Sequence, residues 1–564
     1  MIRKRTNQEQ REAFEELQQR KKRKLENARD RQSLDEDGKT RSRKRRKNKN
    51  RKNVRRRGRA KPHKVGLTLV TIQAIVSMLC VGMLHIIGII PLKYMLIIGG
   101  ILLLLLGLTL FTQLNRKKKA IGGKILSVVL IMVISVGTYY IGKANGALDK
   151  ITGGNYKIDN MVVAVLKDDP AKDIKDTENY TFGVQYKMGR TDMEAAIQMV
   201  SEELGKDITV VEYQDLQEQA EALHDKKVDA IIYNEGYTDN ISESFAGYKK
   251  SVRIIYEHKI KKELASTSVD TSIQDPFSVY ISGIDVYGDI EQTSRSDVNI
   301  IATVNPKTHQ ILLVTTPRDY YVPIPGISGG ENDKLTHAGN YGVDVSMKTL
   351  EELYQVEIPF YARINFTSLI DIVDHLGGVD VYSEYAFTTS KNSEHVMDVQ
   401  QGINHFNGEE ALAFSREREN VPGGDNQRGK NQQAVITAMI KKMISPQMLM
   451  KANSIIDDVS GNVETNMSQE QIQSLIKTQL SKGGSWNIYS VAAEGTGGKD
   501  ICYSAASSGP LYVTYPDETS VANIEDLINR VEQGLLKDQK SQSKRKNRET
   551  LDEPRVSFYN VSDI

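Results

Sequence analysis

Three long apolar runs dominate the first quarter of the chain, about Val65 to Ile90, Tyr94 to Leu114 and Ile121 to Ile141. Each is close to the ~20 residues that a helix needs to cross the hydrocarbon core of a bilayer. The first reads as a retained anchor rather than a cleaved leader, because a long polar segment precedes it and two more spans follow. Lys and Arg crowd the segment before the first span and the second connection, Arg116 to Lys119, whereas the first connection holds only Lys93. Basic loops stay on the cytoplasmic side, so the pattern predicts a cytoplasmic N-terminus and leaves ~420 residues outside, where ATP is not expected.

After the spans the pattern becomes one of short apolar runs and helix-like stretches. Met161 to Leu166, Ile208 to Val211 and Val228 to Tyr233 read as strands, and Thr191 to Leu204 reads as a helix. They predict a small accessory α/β domain over residues 150–264. Residues 265–275 are rich in Ser, Thr and Asp and read as a linker. A larger α/β domain follows over 276–536, with a last helix from Val521 to Leu536. Residues 537–564 have too little apolar content for a core and are expected to be disordered.

Charge changes this picture at one end only. The net charge of +3, from 75 basic and 72 acidic residues, conceals an asymmetry. Residues 1–64 hold about 27 Lys/Arg against about 9 Asp/Glu, while about 40 basic and about 62 acidic residues lie beyond residue 150. The basic arm includes Arg43-Lys44-Arg45-Arg46-Lys47 and Arg55-Arg56-Arg57. Such runs beside a span attract anionic lipid at ~1 kcal/mol each and fix topology. Nucleic-acid binding is the other use of such runs, and it is not favoured here. Residues 5–30 have few apolar positions, so a helix there would be solvated, and the arm as a whole is expected to be disordered. The two cysteines, Cys80 in an apolar run and Cys502 in polar sequence, imply no disulfide framework.

The chemistry concentrates in Phe277 to Tyr321, which reads as three strands. Ser278 to Gly283 leads to Asp285, Val298 to Val304 forms a second strand, and Asn305-Pro306-Lys307 turns the chain into Ile311 to Thr316. If Val304 lies opposite Ile311, antiparallel counting sets Asp297 opposite Arg318 at the sheet edge. Asp285 and Arg295 would join them, giving two carboxylates beside two arginines. Paired carboxylates suit Mg²⁺ together with phosphate oxygens, and guanidinium forks match phosphate bidentately. A surface ion pair would use the same spacing. Downstream, FSRERENVPGGDNQRGKNQ puts Arg416 and Arg418 on one face if extended, and Arg428 and Gln432 four apart on a helix starting near Asp425. Local pairing of those arginines with Glu417 and Glu419 competes with a ligand-binding role.

Other chemistries lack support. Gly495 to Lys499 has glycines and a lysine without phosphate-loop spacing, and there is no HExxH, CxxC or GxSxG pattern. His337 and His375 have no partner at metal spacing and read as surface or packed residues.

The segments GIDVYG, SRSDVNI, TTPRD, DKLTHAGNYG, YARINF, HLGGVDVY and SRERENVPGGDNQRGKNQ stand in an order and at gaps that resemble the LytR-CpsA-Psr family over Pro276 to Leu536. The three spans and the accessory domain look like its streptococcal capsule-biosynthesis branch, from which the long basic arm departs. The resemblance implies an α/β fold, with an extracytoplasmic central mixed β-sheet flanked by helices and an apolar pocket for a polyprenyl chain. It implies that Asp285 and Asp297 associate with Mg²⁺ and that Arg295, Arg318, Arg416, Arg418, Arg428 and Gln432 hold the diphosphate head group. The implied reaction moves a glycan phosphate from undecaprenyl pyrophosphate to a peptidoglycan hydroxyl, Asp285 being a possible general base. Membrane lipid and capsule-synthesis proteins are further partners on this reading. The apolar runs Leu369 to Val373 and Val435 to Ile440 suit either a lipid pocket or ordinary core, core being the commoner use of that periodicity. A membrane-bound regulator or transcription attenuator, or a polyprenyl-pyrophosphate hydrolase, remain the alternatives.

Overall fold

The computed structural model describes residues 15–23, 64–88, 90–114, 121–152, 156–263, 272–284, 290, 293–391, 395–449 and 463–536. The expectations for most of the basic arm, for most of the linker, for the tail 537–564 and for Asp285 lie outside the described residues.

Contacts divide the chain into two units, Met1–Ala74 with Leu104–Leu130, and Ile75–Leu103 with Ile131–Ile564. Three helices, α1 (Lys64–Ile87), α2 (Leu92–Leu114) and α3 (Ile121–Thr152), carry the apolar runs. They are long and apolar enough to cross a membrane over Lys64–Ile86, Leu92–Leu114 and Ile121–Gly142. An α-helix pairs its interior backbone groups within itself, which lipid demands. In the first unit, buried Thr109 donates its hydroxyl to Gln73 Oε1 at 3.1 Å, the kind of polar bond that joins spanning helices.

In the second unit, β1 (Tyr156–Leu166) is an interior strand of a five-stranded sheet. Its Val162 to Val165 run is buried on both faces, because helices cover both. Alternate residues serve opposite sides. Val162 and Ala164 pack with Leu216 and Leu223 of α5 (Leu216–His224), while Met161, Val163 and Val165 pack with Met193 and Val200 of α4 (Arg190–Leu204). Strands β2 (Thr181–Gln185), β3 (Thr209–Tyr213), β4 (Ala230–Asn234) and β5 (Val252–Glu263) complete the order β3-β2-β4-β1-β5. The strand expected at Ile208 to Val211 is displaced to Thr209–Tyr213, an edge position where Val210 and Val211 stay exposed. A short helix, α6 (Thr238–Ser244), follows β4.

The second sheet has six strands: β6 (Phe277–Ile284), β7 (Ser296–Asn305), β8 (Gln310–Thr316), β9 (Phe360–Ile364), β10 (Val463–Thr465) and β11 (Asn487–Ala492). Their order is β10-β9-β6-β7-β8-β11. β6, β7 and β8 run antiparallel as a meander, whereas β9 joins β6 and β11 joins β8 in parallel, so the sheet is mixed. Val304 pairs with Ile311, the register that the hairpin spacing predicts. Period-2 alternation again divides the core. Ile300, Ala302 and Leu313 pack under α9 (Phe366–His375), α10 (Gly408–Arg416) and α11 (Asp425–Met443). Ile301, Leu312 and Val314 face α8 (Val343–Tyr354) and α12 (Glu518–Glu532), with the one-turn helix α7 (Leu335–Ala338) ahead of them.

Candidate functional site

One edge of the six-stranded sheet collects the polar chemistry. Asn299 pairs with Thr316, so two further steps set Asp297 opposite Arg318, just past the apolar run. The contact is made: Arg318 Nη1 donates to Asp297 Oδ1 at 3.1 Å, with side-chain exposures of 19% and 12%. The pair is therefore not the loose surface bridge that the spacing also allowed.

The other arginines arrive from α10 and α11. Helix α10 starts with an Asn407 capping box and ends at Arg416, where Glu417 turns extended. Gly423 and Gly424, at φ +87° and +54°, then turn the chain into α11. Arg428 and Gln432 lie one turn apart on that helix and face the same way. A cavity of about 340 Å³ is lined by Arg295, Asp297, Arg318, Arg416, Arg418, Arg428 and Gln432 together, with Leu369, Val435 and Ile436 on its apolar side. Seven residues singled out in the sequence thus surround one space, and Asp285 lies outside the described residues. Glu417 and Glu419, the alternative local partners of those arginines, accept from other donors. The Glu417 carboxylate accepts from the backbone N–H groups of Ser390, Glu419 and Asn420, and Glu419 accepts from the Ser390 hydroxyl. Arg416 lays its guanidinium over the Phe366 ring at 4.3 Å.

The charge environment of Asp297 follows from the same grouping. Burial pushes the Asp297 carboxyl up, but the charges of Arg318, Arg295 and Arg428 and a hydrogen bond from Thr336 outweigh it and hold the carboxyl below the usual range. Arginines from three different segments act on one carboxylate, which stays ionised. Leu369, Val435 and Ile436 do double duty, lining the cavity while packing in the core beneath the sheet. A second cavity of about 1090 Å³ shares Asp297, Arg318, Arg428 and Gln432 and continues along α11 to Lys441 and Lys442.

An ionic chain that the sequence did not announce leads away from this cavity into the first α/β sheet. Arg295 Nη1 donates to Glu243 Oε1 of α6 at 2.7 Å, and its Nη2 stands 3.7 Å from Asp239. Glu243 also meets Lys334 at 3.2 Å and His337 Nε2 at 3.6 Å. Lys334 reaches Asp319 at 3.3 Å, and Asp319 reaches Arg318 Nε at 3.6 Å. His337, read from sequence as a surface or packed residue, is fully buried and bonds Asp333 at 2.7 Å through Nδ1. Burial alone would push its pKa down. The Asp333 charge and hydrogen bond, and then Glu243, push it up to about 9. Glu243 is pushed up by burial, yet His337 beside it and the charges of Lys334 and Arg295 hold it well below the carboxylate range. No helical period announced this pair, since Asp333 lies on the short strand Asn332–Lys334 and His337 on the one-turn helix after it.

Together these features define an α/β protein with an arginine-lined, partly apolar cavity. Residues 241–511 match the LytR_cpsA_psr family. A polyisoprenyl-teichoic acid–peptidoglycan teichoic acid transferase TagU from Bacillus mycoides is 34% identical over 279 residues, covering 49% of this chain and 85% of the relative. A TagU of the same description from Enterococcus faecalis is 35% identical over 212 residues, 37% of this chain and 67% of the relative. The crystal structure of B. subtilis TagV matches at 26% identity with a TM-score of 0.40, covering 47% of this chain and 100% of that one. The chain belongs to the LytR-CpsA-Psr family.

Proposed function

We propose that the protein is a membrane-anchored phosphotransferase that moves a glycan phosphate from an undecaprenyl-pyrophosphate carrier to a peptidoglycan hydroxyl. The observation that carries this reading is the convergence of Arg295, Asp297, Arg318, Arg416, Arg418, Arg428 and Gln432 on one cavity with an apolar wall. The named activity of the TagU relatives supports it. Arginines bind the diphosphate in charge-assisted, often bidentate bonds, and Leu369, Val435 and Ile436 receive the start of the polyprenyl chain. The acceptor hydroxyl attacks the glycan-side phosphorus, the P–O bond to the lipid phosphate breaks, and undecaprenyl phosphate leaves. Phosphoryl transfer asks a protein mainly for positioning and charge neutralisation, which the guanidinium cluster supplies. The hydroxyl proton passes to Asp285 in this scheme.

Asp297 and Asp285 are the residues that would hold Mg²⁺. The donor chemistry fits: Asp297 is an ionised carboxylate on the cavity wall, and Mg²⁺ takes one or two carboxylates together with phosphate oxygens. When bound, the cation neutralises charge on the diphosphate. The glycan is a capsular or related wall polysaccharide. The basic flanks support a cytoplasmic location for α1's start and the second connection, with both α/β sheets outside the cell membrane on this reading.

The test incubates purified full-length protein with a lipid-pyrophosphate glycan and peptidoglycan, and follows the glycan. Mg²⁺-dependent attachment, abolished by EDTA, by Asp297→Ala and by Arg318→Ala without loss of membrane insertion, is expected. Normal attachment in both variants rejects the assigned site, and free glycan phosphate in place of attachment identifies hydrolysis.

A further inference from the structure

We infer that Glu243, on α6 of the first α/β sheet, is the positioning residue for Arg295 in the head-group cavity, so that the accessory domain completes the binding site of the larger one. The inference rests on the diphosphate reading of that cavity.

Arg295 follows β6 and precedes β7, and its own strand does not hold it. The backbone before it is tied to the other sheet. Thr293 N–H donates to the Ile158 carbonyl at 3.1 Å, and the Thr293 hydroxyl donates to Asp159 Oδ1 at 2.9 Å. Gly236, between β4 and α6, lies so close that a Cβ there would overlap the Thr293 carbonyl. From the other side, Asn340 Nδ2 donates to Asn240 Oδ1 of α6 at 3.0 Å, and the backbone of Gly339 packs on that of residues 294–296. The carbon skeleton of Arg295 is thereby clamped between two domains, and only its guanidinium remains to be aimed.

Glu243 aims it. The 2.7 Å bond from Nη1 fixes one end of the planar fork, and Asp239 stands at 3.7 Å from Nη2. A guanidinium has five N–H donors in a rigid plane, so fixing one side orients the rest. Arg295 Nε is buried and has no hydrogen-bond partner among the described residues, although the side chain lines the cavity. A buried donor without an acceptor is unfavourable until one arrives, and a phosphate oxygen in the cavity is a suitable acceptor. Glu243 does not quench the arginine, because Lys334 and His337 share its negative charge. It also offsets the mutual repulsion of five arginines around one small space.

The test measures farnesyl pyrophosphate binding to the full-length protein in detergent by calorimetry, in a cycle of Glu243→Gln, Arg295→Ala and the double variant. Glu243→Gln is expected to weaken binding about tenfold, and at most about twofold once Arg295 is Ala. Glu243→Asp, which keeps the charge, is expected within about threefold of the parent. In transfer assays Glu243→Gln should raise the KM for the lipid-linked glycan with kcat little changed. Additive losses in the cycle, or unchanged binding by Glu243→Gln, overturn the positioning role while Arg295→Ala still weakens binding. If the parent fails to bind farnesyl pyrophosphate, or Arg295→Ala costs nothing, the diphosphate reading fails and takes this inference with it.

Discussion

The buried imidazole of His337 gives the structure a definite alkaline limit. His337 lies between Asp333 at 2.7 Å and Glu243 at 3.6 Å with no exposed side-chain surface, and its pKa is pushed up to about 9. A folded value above the unfolded one means that the imidazolium stabilises fully below pH ~6.5 and that this contribution disappears as pH rises through ~9. The separation corresponds to about 3 kcal/mol at ~1.4 kcal/mol per pH unit. For the roughly 380 residues from β1 to the end of α12, an unfolding entropy of ~2.1 cal/mol/K per residue converts this into a fall of about 4 °C in Tm. Full-length protein in detergent, melted between pH 6 and 10, should show that fall centred between pH 7 and 9. His337→Gln, destabilised at pH 6, should show little of it, so the two curves approach each other at high pH. Parallel curves would refute the reasoning, because a group that is neutral in the folded state at pH 6 cannot contribute the difference.

Two further substitutions test the packing that positions the site. Gly236→Ala forces a methyl against the Thr293 carbonyl, and overpacking of this kind costs ~1–3 kcal/mol. Faster hydrogen exchange at the Thr293 amide and severalfold weaker farnesyl pyrophosphate binding are expected, whereas unchanged exchange would show that the sheets do not clamp the loop. Phe414→Ala removes a fully buried ring that contacts Phe387 and Phe406 at centroid distances of 5.9 and 5.2 Å. It should destabilise the larger domain by ~3–5 kcal/mol in urea unfolding, and a midpoint equal to the parent's would contradict the assigned core.

Much of the site was legible in the residues because strand geometry converts spacing into position. A two-fold side-chain period and one turn signal, Asn305-Pro306-Lys307, suffice to align Val304 with Ile311 and so Asp297 with Arg318. The helix that carries Arg428 and Gln432 was also legible, starting at Asp425 where the sequence set it. Local pairing of Arg416 and Arg418 with Glu417 and Glu419 was equally consistent with their spacing. The loop around Ser390, which spacing does not reveal, supplies other donors to those carboxylates.

Hydrophobic length and the placement of basic residues determine the three candidate spans, and alternation determines the two α/β sheets, because both signals are periodic and local. The ionic chain from Asp239 and Glu243 through Lys334 and Asp319 to Arg318 is a product of tertiary structure alone. Its members come from α6, from the segment leading into α7 and from the end of β8, and no period links them. They meet because two separately patterned sheets dock through buried polar groups. Which carboxylate neutralises which cation there depends on a few ångströms of packing, a quantity that spacing along a chain does not encode.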